Sequence, residues 1–233
     1  MRDSRYVVVM ALTAIVLAGA LVALHGAPRP AAGAEVAGAQ FRLDRADADR
    51  TGAPELPAAV RGAGFRFAPE TAAADRRAVL AAVARARPEA RRLIGLVDGL
   101  TDVRVGPTGR RGVLGLTVAG GPRSTVTVDL GRVTTMYGTR GVDRVVLHEL
   151  GHVVDHALVP DDLMAAMQRG IPAGWGCEEG TAGACATPPE RFAETFAKWA
   201  TGDIGVDLSI GYKVPPPVPT LDAWGAPLAR LGR

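Results

Sequence analysis

Residues 145–152 read Val-Val-Leu-His-Glu-Leu-Gly-His, and they place His148 and His152 four positions apart. Apolar residues surround the two histidines at the three- and four-residue steps that are typical of a buried helix. We therefore predict a helix from about residue 142 to residue 158. Residues at positions i and i+4 lie on one face of a helix, one turn apart. The two histidine side chains are therefore expected to lie side by side.

A histidine pair with this spacing is suited to bind one zinc ion, because both imidazoles can reach the same point from a single helix face. Glu149 projects about 100° further around the helix, where its carboxylate could take a proton from a zinc-activated water. The competing interpretation, a helix with unused histidines, leaves two imidazoles without partners on an apolar helix. The sequence thus predicts a Zn²⁺ site with His148 and His152 as ligands.

A third protein ligand is expected from Glu190 or Glu194, which lie one turn apart in a helix predicted over residues 188–200. One carboxylate can bind the metal while the other accepts the free N–H of a ligating histidine. The alternative is a solvated acidic face of an amphipathic helix. His156 is a weaker candidate, because eight residues rotate a helix by about 80° and raise it by about 12 Å. We expect His156 at the surface or as a partner of a ligand.

Two segments together resemble the gluzincin metallopeptidases: His-Glu-Leu-Gly-His-Val-Val-Asp at 148–155 and Glu-Arg-Phe-Ala-Glu-Thr-Phe at 190–196. The resemblance is strongest to the family of the anthrax lethal factor protease domain, and it covers residues 142–200. It implies a zincin-like α+β domain with one catalytic Zn²⁺ ion. In such a domain Glu190 binds the metal and Glu194 supports a ligating histidine.

The same family supplies a tyrosine that stabilises the transition state, seven residues before the ligand glutamate. In this chain that position is Gly183, and Tyr137 and Tyr212 are the tyrosines that remain outside the N-terminal segment. We expect Tyr212 to take the role, and the alternatives are Tyr137, an arginine, a backbone N–H or no such group. Tyr212 precedes the proline-rich stretch 214–219, whose stiffness could hold a side chain over a cleft.

Residues 1–34 are predicted to export the chain rather than to fold with it. Arg2 and Arg5 precede residues 6–24, which carry no charge and are long enough for a membrane anchor. A signal peptide is the alternative, because small residues offer cleavage sites in and after this stretch. The positive-inside rule places the rest of the chain outside the cytoplasm, either secreted or anchored through residues 6–24.

The exported chain divides into a tether and N-terminal extension at 35–69 and one domain at 70–233. Within the domain, helical patterns occur on both sides of three short β-like runs. The β-like runs lie at 102–105, 113–119 and 124–130, and the helices at 70–98 with a break near Arg87, 142–158, 161–169, 188–200 and near the C-terminus. This order predicts an α+β domain with a small sheet.

Composition limits the partners of the chain. Lys+Arg 27 and Asp+Glu 24 give a net charge of +3 over 233 residues, which is not the basic footprint of a nucleic-acid-binding protein. Cys177 and Cys185 are the two cysteines, and their spacing fits no zinc-binding pattern. In an exported protein we expect them to form a disulfide bond that closes a short loop.

Two functions from different classes are compatible with this sequence. The first is an extracytoplasmic zinc endopeptidase that hydrolyses peptide bonds in a peptide or protein substrate, with Glu149 as general base for a zinc-activated water. The second is a catalytically inactive, zinc-stabilised binding module at the cell surface. Glu149 favours the enzyme, because it binds no metal in this scheme and a binding module has no use for it.

Overall fold

The structure is a computed structural model, and it describes residues 42–45, 64–119, 122–172, 186–204 and 214–232. These residues lie in one compact unit that extends from Gly38 to Arg233. They form a mixed α+β domain, which confirms the predicted fold class at this level.

A single sheet contains five strands among the described residues: β1 (Arg42–Arg45), β2 (Arg66–Phe67), β3 (Thr101–Val105), β4 (Gly115–Ala119) and β5 (Ser124–Val128). The strand order is β1-β4-β5-β3-β2. β4 and β5 are antiparallel, whereas the other neighbouring pairs are parallel. The three predicted β-like runs are confirmed as β3, β4 and β5, which form the centre of the sheet.

The two outer strands, β1 and β2, lie in the segment 35–69, where the sequence predicts no strand. β1 pairs with β4 over residues 42–45, and β2 pairs with β3 through Arg66 and Phe67. Such short strands depend on partners that are distant in the chain, so the local pattern does not reveal them. The sheet therefore includes residues that precede position 70, the predicted start of the domain.

Six α-helices complete the described structure: α1 (Ala73–Arg85), α2 (Pro88–Val97), α3 (Leu130–Leu158), α4 (Asp161–Gln168), α5 (Pro188–Thr201) and α6 (Leu221–Gly225). The predicted break near Arg87 is confirmed, because α2 begins at Pro88. Proline suits the first residue of a helix, where its missing N–H is not needed. The remaining predicted helices are also present, and apart from the start of α3 their ends differ from the predictions by only a few residues.

The helix that carries the histidines is longer than predicted. α3 begins at Leu130, where the Asp129 side chain accepts a hydrogen bond from the Arg132 backbone N–H. The preceding strand is predicted over residues 124–130. It ends at Val128, because Leu130 is already the first residue of the helix. Gly138, with φ of 62°, interrupts the helical geometry, and glycine adopts this conformation without steric cost. Both histidines follow this interruption.

Close packing of α3 against α5 brings the two motif segments together. At Gly151 of α3 an added Cβ would lie 3.1 Å from Phe196 Cδ1 and 3.2 Å from Ala193 Cα. The missing side chain thus lets the two helices approach each other. The aromatic side chains of α5, Phe192, Phe196 and Trp199, are buried in the core. On its other side α3 packs against β4 and β5.

Several predictions made from the sequence concern residues outside the ranges that the structure describes. Residues 6–24, Cys177, Cys185 and Tyr212 lie outside the described residues, so the anchor, disulfide and tyrosine stay predictions. Within the ranges that the structure describes, no helix has the length and apolar composition needed to cross a membrane.

Candidate metal centre

Three predicted ligands lie together where α3 faces α5. His148 and His152 project from α3, and Glu190 projects from the first turn of α5. Glu190 Oε2 lies 3.0 Å from His148 Nε2 and 3.3 Å from His152 Nε2. All three side chains are buried, and their ligand atoms lie within 4.8 Å of one another. This group could hold a metal ion.

Three polar atoms at this group are not satisfied by the protein alone. His152 Nε2, His152 Nδ1 and Glu149 Oε1 are buried and have no hydrogen-bond partner among the residues that the structure describes. Buried polar atoms of this kind cost free energy unless a water, an ion or a ligand meets them. An orphaned imidazole nitrogen beside a carboxylate is what a metal ion requires, so the residues present fit a metal ion.

The electrostatics of the group favour the charged forms of His148 and Glu190. Burial lowers the pKa of His148, but hydrogen bonds with Glu190 and Glu194 outweigh burial and raise this pKa to about 9. Burial raises the pKa of Glu190, but the His152 charge and the hydrogen bond with His148 outweigh it and lower this pKa to about 2. Because a metal ion binds the neutral imidazole, it has to displace the proton that His148 holds.

Glu194 lies one turn after Glu190 on α5 and contacts the opposite side of the His148 ring. His148 Nδ1 lies 3.1 Å from Glu194 Oε2. An ionised carboxylate can only accept hydrogen bonds, so Nδ1 carries the hydrogen and Nε2 faces Glu190. Burial raises the pKa of Glu194, but the Arg144 charge and the hydrogen bond from His148 hold this pKa well below its usual range. The contact between Glu194 Oε2 and His148 Nδ1 is the one expected of a residue that supports a ligating histidine.

Glu149 lies beside the histidines with its carboxylate against β4. Its Oε2 accepts a hydrogen bond of 2.6 Å from the Thr117 hydroxyl. A Cβ at Gly115 would overlap Glu149 Oε1 and lie 2.8 Å from Glu149 Cδ, so glycine leaves the room that the carboxylate occupies. Burial raises the pKa of Glu149 to about 7, although the charges of His148 and His152 oppose this shift. A carboxyl group that titrates near neutrality can both take and return a proton.

Gly115→Ala should destabilise the domain, because the added methyl group overlaps the Glu149 carboxylate. Displacing a side chain in a packed interior costs about 1–3 kcal/mol of the free energy of unfolding. Gly131→Ala is the matched control, since a Cβ at that position of α3 meets nothing within 4 Å. The control should raise stability by about 0.4–1 kcal/mol. Urea unfolding measures both values, and equal stabilities of the two variants would contradict a tightly packed Glu149.

His156 and Tyr137 do not belong to the ligand group. His156 follows His152 by one turn on α3, is half-buried and is not among the three residues whose ligand atoms converge. This arrangement agrees with the prediction that one straight helix cannot bring a third histidine to the same ion. Tyr137 is half-buried against the core, immediately before Gly138.

Four residues around the site are missing from the sequence predictions: Gly115, Thr117, Arg144 and Lys198. Two of them carry a signal in their spacing, because Arg144 precedes His148 by four positions and Lys198 follows Glu194 by four. Residues at this spacing share a helix face, so the sequence does indicate that Arg144 and Lys198 lie beside the site residues. The other two carry no such signal, because they reach Glu149 only through the packing of β4 against α3.

Comparisons with known proteins add no relative to this description. No protein-family model matches the chain, and no curated protein and no solved structure matches it. The function of the chain is therefore inferred from the geometry of the site.

Proposed function

We propose that this chain is an extracytoplasmic zinc-dependent endopeptidase with a zincin-like domain of the gluzincin type. The proposal rests on the buried group of His148, His152 and Glu190, with Glu149 next to it. Two histidines and a carboxylate form the protein ligands of catalytic zinc in several peptidases. In such sites the glutamate that follows the first histidine serves as general base.

Two interatomic distances in the group fit the geometry of a tetrahedral ion such as zinc. Ligand atoms at about 2.0–2.1 Å from a tetrahedral zinc ion lie about 3.3 Å from one another. Glu190 Oε2 lies 3.0 Å from His148 Nε2 and 3.3 Å from His152 Nε2, close to this tetrahedral edge. Three protein ligands leave a fourth position for water or substrate, as in catalytic rather than structural zinc sites.

A zinc ion held by this group would supply Lewis acidity and activate a water molecule as the nucleophile. The residues of the chain supply the proton transfer. Glu149 can accept a proton from water at Oε1, which has no partner among the described residues, while Thr117 holds Oε2. The same carboxyl group can deliver that proton to the leaving amine of the cleaved peptide bond. Glu194 keeps the His148 ring oriented through these steps.

The proposed substrate is a peptide or protein outside the cytoplasm, cleaved by an enzyme that is secreted or anchored by its N-terminal segment. Tyr212 is the proposed oxyanion stabiliser. It lies two residues before Val214, whose carbonyl oxygen accepts a hydrogen bond from the buried Lys198 ammonium. This hydrogen bond holds the backbone at Val214, two residues after the proposed tyrosine.

A zinc-stabilised binding module without catalytic activity is the second candidate, and the burial of the site supports it. His148, Glu149 and His152 are fully buried, and Glu190 is 3% exposed. Substrate has to reach a catalytic ion, whereas a structural ion is closed off by protein ligands.

Removal of the metal discriminates between the two functions. We expect the purified chain to contain zinc in equimolar amount and to cleave members of a peptide library. A chelator should abolish cleavage, and added Zn²⁺ should restore it. Mass spectrometry of the library and elemental analysis of the protein measure the two effects. A binding module would lose stability with the chelator and cleave no peptide in either state, and a chain without zinc affinity would contradict both functions.

A further inference from the structure

Two buried cationic side chains, Arg144 and Lys198, form hydrogen bonds with Glu194, the carboxylate that contacts His148 Nδ1. Glu194 Oε1 accepts a hydrogen bond from Arg144 Nη2 and one of 3.3 Å from Lys198 Nζ. Arg144 is 3% exposed and Lys198 is fully buried, so water screens these charges little. Lys198 also donates to the Val214 carbonyl oxygen, and Arg144 donates to the Asp203 carbonyl oxygen. Both cations are thus held from more than one side.

The cations continue the spacing of the metal-site residues. Arg144 precedes His148 by one turn on α3, and Lys198 follows Glu194 by one turn on α5. Each cation therefore lies on the same helix face as the site residue beside it, and both faces meet in the buried interface between α3 and α5. Burial lowers the pKa of Lys198 to about 8, which leaves the ammonium charged at neutral pH.

The two oxygens of Glu194 have different partners. Oε1 accepts from both cations, whereas Oε2 lies 3.1 Å from His148 Nδ1. The terminal torsion of a glutamate is soft, so a carboxylate without such partners can rotate and exchange its oxygens. Because two charged donors hold Oε1, Oε2 stays directed at the imidazole. His152 Nδ1, in contrast, is buried with no hydrogen-bond partner in the described ranges, so within these ranges the hydrogen bond that supports a ligand is the one to His148.

We propose that Arg144 and Lys198 are positioning residues of the metal centre, which hold Glu194 so that His148 keeps its hydrogen on Nδ1 and presents Nε2 to the metal. This role rests on the metal site of the proposed function but not on peptidase activity. Stability alone does not call for the cluster, because replacing buried ion pairs by apolar residues is often neutral or stabilising. Partners of metal-bound histidines, in contrast, commonly change metal affinity by about 10–100-fold.

The zinc affinity of the full chain, measured without substrate, tests this role. Arg144→Met and Lys198→Met should each raise the zinc Kd by about 10-fold or more, as measured by competition with a chromophoric chelator. The Nδ1–H proton of zinc-bound His148 should shift upfield in the NMR spectra of both variants, because its hydrogen bond to Glu194 loosens. Thr195→Val is the matched control on α5. It removes a buried hydroxyl that donates to the Arg191 carbonyl oxygen, so it should lose stability and keep the wild-type zinc Kd.

A double variant separates action through Glu194 from a general effect on the fold. Lys198→Met should cause no further loss of zinc affinity in a Glu194→Gln background, because the residue through which it acts is already altered. Equal losses in both backgrounds would overturn the proposal, and so would wild-type Kd values with an unshifted Nδ1–H signal in Arg144→Met and Lys198→Met. Lys198→Gln replaces Lys198→Met if the latter does not fold. A wild-type chain that binds zinc but cleaves no peptide contradicts the proposed function and leaves this test valid.

Discussion

Glu149→Gln should abolish peptide cleavage while zinc stays bound. Loss of a general base lowers kcat by about 10²–10⁴-fold, because proton transfer from water is no longer assisted. The amide keeps the shape of the side chain and can still accept the hydrogen bond from the Thr117 hydroxyl, so the packing against β4 remains. Turnover of a peptide from the library and elemental analysis for zinc measure the two effects separately.

Asp143→Asn is the matched control for Glu149→Gln, because it is another change from acid to amide on α3. Asp143 forms an ion pair with Arg85 of α1 rather than with a residue of the ligand group. The control should therefore keep the wild-type kcat. An unchanged kcat in Glu149→Gln would contradict the role of Glu149 as base, and a loss of zinc from that variant would identify it as a ligand.

Glu190→Ala should remove zinc from the purified chain. Loss of an outer partner of a histidine already costs about 10–100-fold in metal affinity, so loss of a direct ligand should cost more than about 100-fold. A ligand that binds only the folded state raises Tm, and the rise increases with the logarithm of the ratio of free ligand concentration to Kd. Added Zn²⁺ should therefore raise the Tm of the chelator-treated wild type and leave that of Glu190→Ala unchanged, as measured by differential scanning fluorimetry.

His156→Ala is the control for this variant, because it removes an imidazole one turn beyond His152 without changing the group of three. We expect it to keep both the zinc content and the zinc-dependent rise in Tm. If His156→Ala loses zinc and Glu190→Ala retains it, the third ligand is assigned to the wrong helix.

The helices that carry the site were predictable because their information is local. The helix predicted over 188–200 agrees with α5 to within one residue, since its aromatic and acidic faces repeat at helical steps. The start of α3 was not predictable in the same way. Gly138 interrupts the pattern, and the first part of the helix depends on the Asp129 side chain at its N-terminus and on packing. β1 and β2 were missed because strands this short depend on partners elsewhere in the sheet.

The sequence by itself determined which side chains share a helix face, because spacing along a helix is a local property. It thereby identified His148 and His152 as candidate ligands and the pair of Glu190 and Glu194 as the source of the third. Only the tertiary structure decided which faces meet, and so which partners Glu149 and Glu194 have. The Thr117–Glu149 and Arg144–Glu194 contacts join residues 32 and 50 positions apart. Burial of apolar surface between whole elements selects such contacts, and no local pattern encodes them.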